Sequence, residues 1–103
     1  MKCLDDCHEY ELESLFGGCS QRLSFVKKVP VQGGKVGELS TVYDGVTNEE
    51  VLRVLIHRIS SLQFVLPCEE NAIALENLEH AYKMFEKRNA DRVARGVQGK
   101  QVA

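Results

Sequence analysis

Arg88, Arg92 and Arg95 stand close together near the end of the chain. On a helix, steps of four and three residues place all of them on one face. A guanidinium group is permanently charged and offers paired N–H donors in one plane, so a group of arginines can hold a phosphate or pyrophosphate in two-pronged fashion. Basic residues in a last helical turn also meet the negative end of the helix dipole, which is the plainer account of the same side chains. Arg58 falls inside an apolar stripe, between Leu55 and Leu62. It needs either a carboxylate such as Glu76 or Glu79, or a ligand, because an unpaired buried charge is costly. Other chemistries have little support. The chain contains no P-loop, no Gly-x-Gly-x-x-Gly, no Gly-x-Ser-x-Gly and no His-Glu-x-x-His. His57 reads as an exposed helix residue, and Cys3, Cys7 and His8 lack a second close pair of zinc ligands. The expectation is a binding protein that is not an enzyme, with no metal and no cofactor.

Two helical patterns must position these groups. The first runs over residues 47–64, opened by Thr47 and Glu50 at capping-box spacing. Val51, Leu55 and Leu62 form its stripe, widened by Leu52, Val54, Ile56 and Ile59. The second runs over residues 69–95 after the link Val65-Leu66-Pro67-Cys68, with Glu69 and Glu70 at its positive N-terminal end. Ala74, Leu75, Leu78, Ala81, Tyr82 and Phe85 make a stripe that Ile73 and Met84 extend. That arc is wide for a helix with a single neighbour, which predicts a homodimer or larger assembly. Gly96 stops the helix, and an extended tail is expected over residues 97–103. Before Asp44 the chain reads as β-structure, with strands expected at 8–16, 21–29 and 36–43 and a turn at Gly17-Gly18. Residues 1–7 read as a loose acidic start, Pro30 to Lys35 as a loop, and Lys27-Lys28 as a solvated strand edge.

The fold expected is α+β: a small N-terminal antiparallel β-sheet followed by a long antiparallel two-helix hairpin that oligomerises through its helices. A chain of 103 residues suits one domain, with a β-rich portion at 1–45, the hairpin at 46–96 and the tail at 97–103. A formal charge of −2 argues against a general DNA binder. The charge is uneven, however, acidic at the start and basic over residues 83–100, so a local anion site is compatible with the balance. No apolar run approaches the roughly 20 residues that span a bilayer. No signal-peptide pattern opens the chain, so a cytoplasmic protein with free thiols and no membrane contact is expected.

Four stretches together resemble a known family: Asp44-Gly45-Val46-Thr47-Asn48-Glu49-Glu50, Leu55-Ile56-His57-Arg58, Cys68-Glu69-Glu70-Asn71-Ala72-Ile73-Ala74-Leu75, and the run from Glu86 through Arg95 to Gly99. They are similar to the helical-hairpin family of phage anti-Thoeris and anti-CBASS signal sponges, most of all its anti-Thoeris branch. The resemblance covers residues 44–99. It implies a phage or prophage protein, acting in an infected or lysogenic bacterium, that sequesters a cyclic ADP-ribose isomer (glycocyclic ADP-ribose) without cleaving it. It also implies a homodimer or hexamer with ligand pockets between subunits. By position, the family's ligand-binding asparagine falls on Asn71 and its paired arginines on Arg88 and Arg92. The adenine-stacking aromatic corresponds to Leu62, with Phe64 as the aromatic nearby. Where the family has an arginine for cyclic trinucleotides, this chain has Glu69, whose charge repels phosphate. Two further readings are a structural or regulatory homo-oligomer that binds a protein partner, and a sponge for cyclic di- or trinucleotides.

Overall fold

The computed structural model describes residues 1–18, 20–31, 33–34 and 37–96. These fall into two compact units, one over Met1–Thr47 and one that starts at Asn48.

The first unit is antiparallel β-structure. Strands β1 (Lys2–Asp5), β2 (Glu9–Glu13) and β3 (Ser20–Ser24) form one sheet in that order, and β4 (Lys27–Pro30) pairs with β5 (Leu39–Tyr43) in a second. Gly17, at φ 72°, turns the chain between β2 and β3. Tyr10 lies opposite Leu23, and its ring meets Phe25 edge-on at 5.9 Å. The loose start expected at residues 1–7 is instead β1, which pairs Lys2 with Glu11 and Cys3 with Tyr10. The single strand expected at 21–29 is two strands. The Phe25 N–H donates to the His8 carbonyl, while the Val26 N–H donates to Val46 and the Val46 N–H to Ser24. The chain therefore leaves one sheet at Phe25 and enters the other at Lys27. Gly45 allows this junction: a Cβ there would lie 2.6 Å from the Ser24 carbonyl oxygen and from the Phe25 backbone. Pro30, expected in a loop, ends β4, an edge position that tolerates a missing N–H. Cys19 and Val36 lie outside the described residues.

The second unit is a helical hairpin, α1 (Asn48–Val65) and α2 (Glu69–Ala94). Contacts at both ends make it antiparallel. Near the link, the Gln63 side chain meets the Cys68 backbone, and at the other end the Asn89 side-chain amide donates to Glu49 at 3.3 Å. Leu52, Ile56, Ile59 and Gln63 are the half-buried line of α1; Asn71, Ala74, Leu75, Leu78, Ala81, Tyr82 and Phe85 are that of α2. The stripe expected on Val51, Leu55 and Leu62 is therefore turned: Val51 is half-buried, whereas Leu55 and Leu62 are exposed. Helix α1 faces its neighbour with the 52–56–59–63 line instead. No apolar side chain among the described residues is fully enclosed. The tail expected over residues 97–103 lies outside the described residues.

Candidate functional site

The five candidate residues divide between the two ends of the hairpin. Leu62, Phe64 and Asn71 lie beside the link, whereas Arg88 and Arg92 lie in the closing turns of α2. At about 1.5 Å of rise per residue, Asn71 and Arg88 are separated by roughly 25 Å along α2. No small molecule bridges that distance within one hairpin.

Local interactions set the link end. Cys68 is extended, at φ −149° and ψ 158°, and caps α2: its Sγ accepts from the Asn71 N–H at 3.4 Å. Its own backbone is held on both sides by Gln63. The Gln63 Nε2 donates to the Cys68 carbonyl at 2.9 Å, and the Cys68 N–H donates to the Gln63 Oε1 at 3.0 Å. Asn71 thus lies in the first turn of a helix whose entry is fixed from α1, and it is half-buried. Leu62 is 46% exposed, while Phe64 is 90% exposed and adjoins exposed Val65 and Leu66. Side chains two residues apart on a helix do not share a face, so Leu62 and Phe64 of one chain serve different surfaces.

At the far end the arginines differ from one another. Arg88 is exposed and has no ion pair among the described residues. Arg92, one turn on, is 7% exposed and is partnered within the chain. Arg95 is the C-cap of α2 and pairs with Asp91 at 3.1 Å. Of the three-arginine face read from spacing, Arg88 alone is thus an exposed cation with no ion pair among the described residues, with Arg92 buried and partnered and Arg95 engaged by a carboxylate one turn back.

The hairpin also carries an open groove of about 1160 Å³, whose walls include His57, Arg58, Leu62, Glu79, Tyr82 and Lys83. Of the five candidates only Leu62 reaches it. Arg58 is exposed there and forms no ion pair with Glu76 or Glu79. The salt bridge expected for it is absent because the turned stripe leaves Arg58 in solvent, where a guanidinium needs no partner.

In the β-unit, the Lys27 ammonium lies 2.9 Å from an Asp5 carboxylate oxygen and 5.8 Å from the centre of the Tyr43 ring. Lys27 is therefore tied into the unit, not the solvated edge expected of it. The hydrogen bond to Lys27 holds the Asp5 carboxyl below its ordinary value, and the same bond raises Lys27. Burial pushes the Tyr10 hydroxyl up. Among the described residues, no three His, Cys, Asp or Glu side chains are gathered as metal ligands. No described helix is long and apolar enough to cross a membrane.

Sequence reasoning passed over Gln63. Its signal was its place on the 52–56–59–63 line: a polar residue that ends an apolar stripe beside a helix link has backbone groups within reach.

No family model matches the chain. It is, however, 40% identical over 57 residues to Thoeris anti-defense 1 of Bacillus phage SBSphiJ7, a match covering 54% of this chain and 40% of that protein. This similarity supports an anti-Thoeris phage family for the chain, which spans well under two thirds of the relative's length.

Proposed function

We propose that the protein is an anti-defence sponge that binds and sequesters a cyclic ADP-ribose-type signal, with glycocyclic ADP-ribose as the first candidate, and does not cleave it. The similarity to Thoeris anti-defense 1 carries this reading. Arg88 supports it, as an exposed cation with no ion pair among the described residues. In this reading Arg88 and Arg92 hold the pyrophosphate by charge-assisted hydrogen bonds, and the Asn71 amide reads polar atoms of a ribose or base. Leu62 or Phe64 supplies apolar contact to the adenine.

The separation of Asn71 from the arginines supports a site shared between two chains. One chain contributes the asparagine end and a second contributes the arginine end, so two hairpins lie with opposite ends together. The incompletely covered apolar side chains of α2, Ile73 and Met84, are available for that association. Glu69, in the first turn beside Asn71, disfavours a cyclic-trinucleotide phosphate at the link end.

Calorimetric titration with glycocyclic ADP-ribose tests the reading. Wild-type protein is expected to bind, and Arg88→Ala to bind about 30-fold more weakly or worse, since a hydrogen bond to a charged group is worth roughly 2 kcal/mol. Ligand recovered intact after heat denaturation is expected; recovery of a cleaved product would make the protein an enzyme. Absence of heat with the wild type would reject this ligand and send the same titration to cyclic di- and trinucleotides.

A further inference from the structure

We infer that Gln63 is a positioning residue for ligand recognition, acting through the Cys68 backbone to set where Asn71 stands. The inference rests on the sponge reading for its ligand, and on the geometry of the link for its mechanism.

A primary amide is the one uncharged side chain group that can donate and accept along a single edge, as a peptide does. Gln63 uses both capacities on one residue, donating to the Cys68 carbonyl and accepting from the Cys68 N–H at 2.9 and 3.0 Å. Cys68 is thereby fixed in its extended conformation, and its sulfur is aimed at the Asn71 N–H. The chain of dependence runs from α1 through Gln63 to Cys68 and then to the first turn of α2. Helix entries are places where the backbone has unsatisfied donors and frays readily. Asparagine recognition needs the opposite, a side chain whose origin is held to a fraction of an ångström. A half-buried glutamine that closes the link supplies that constraint from the neighbouring helix. Glutamate has the same shape but, when ionised, retains only the accepting function. Methionine has a similar length and neither function.

Two measurements test this on the full chain. The first needs no ligand. Amide hydrogen exchange of Cys68 and Asn71 is expected to rise about tenfold or more in Gln63→Met, which loses both bonds to Cys68, whereas Gln63→Glu still accepts from the Cys68 N–H and is expected to raise it less, while Leu78 in mid-helix keeps its rate. Unchanged exchange at Cys68 and Asn71 would overturn the clamp itself. The second is titration with glycocyclic ADP-ribose of wild type, Gln63→Met, Asn71→Ala and the double variant. Gln63→Met is expected to weaken binding about tenfold in the wild-type background and to add nothing to Asn71→Ala. Equal affinity of Gln63→Met and wild type would overturn the inference and leave the sponge reading standing. So would an unchanged factor in the Asn71→Ala background, which would place the action of Gln63 elsewhere. A wild type that does not bind would reject the sponge reading, and the positioning role with it.

Discussion

Arg88 and the Asp5–Lys27 pair are charged groups set in opposite ways. Arg88 faces solvent without an ion pair among the described residues, so its removal should cost the fold little: Arg88→Ala is expected to melt within a few degrees of wild type while its ligand affinity collapses. Asp5 and Lys27 hold one another at 2.9 Å, and the consequence there is pH-dependent. The Asp5 carboxyl is depressed, so its contribution is fully present above the ordinary 3.8 and is lost as pH falls through the lower folded value. Lys27 is raised, so its contribution is present below the ordinary 10.5 and is lost as pH rises through the higher folded value. Lys27→Met is expected to lower the melting temperature by a few degrees at neutral pH, a small effect because the pair is partly exposed. Melting curves of the two proteins should converge once acid has neutralised Asp5.

The helices were the legible elements. Periodicity placed both within a residue of their observed ends, because each carries a long apolar repeat between clear stops. Which part of the α1 arc faces α2 was not legible, since Leu52, Ile56 and Ile59 compete with Val51, Leu55 and Leu62 for the same role and only the partner helix decides. The chosen face has a measurable consequence. Ile59→Ala is expected to cost the hairpin about 2 kcal/mol in chemical denaturation, whereas the same change at exposed Val54 should cost well under half of that. The strands were less legible. Leu23 and Phe25 continue an alternation that the backbone breaks at Phe25, and no local residue type announces a change of sheet. The arginines of the candidate site were legible as residue types, Arg88 and Arg92 standing four residues apart on one helix. The division of the candidates between opposite ends of the hairpin follows from counting turns along α2, but the grip of Gln63 on Cys68 was signalled only by a polar residue ending the 52–56–59–63 line, a line that the partner helix had to select.

At the scale of the molecule, a single copy encloses no apolar side chain fully among the described residues, and Ile73 and Met84 on α2 are about half exposed. Small domains with so little enclosure commonly gain stability by association. Sedimentation is expected to find a dimer or larger species, and Ile73→Glu with Met84→Glu to shift it towards monomer. A shared site also predicts complementation. Asn71→Ala and Arg88→Ala proteins, each weakened in binding alone, should recover some sites of wild-type affinity when unfolded and refolded together, because a mixed pair unites the intact asparagine end of one chain with the intact arginine end of the other. Recovery in the mixture is read by the same titration, and no recovery would argue for a site contained in one chain.

The length of α2 bears finally on timing. If, as proposed, a site joins Asn71 of one chain to Arg88 of another, roughly 25 Å apart along a single α2, a lone chain carries only half of it. Capacity to absorb signal then grows with the square of chain concentration while the protein is scarce, and in direct proportion once copies are plentiful. A cell making the first few copies would gain almost no protection, and one past the association threshold would gain it abruptly.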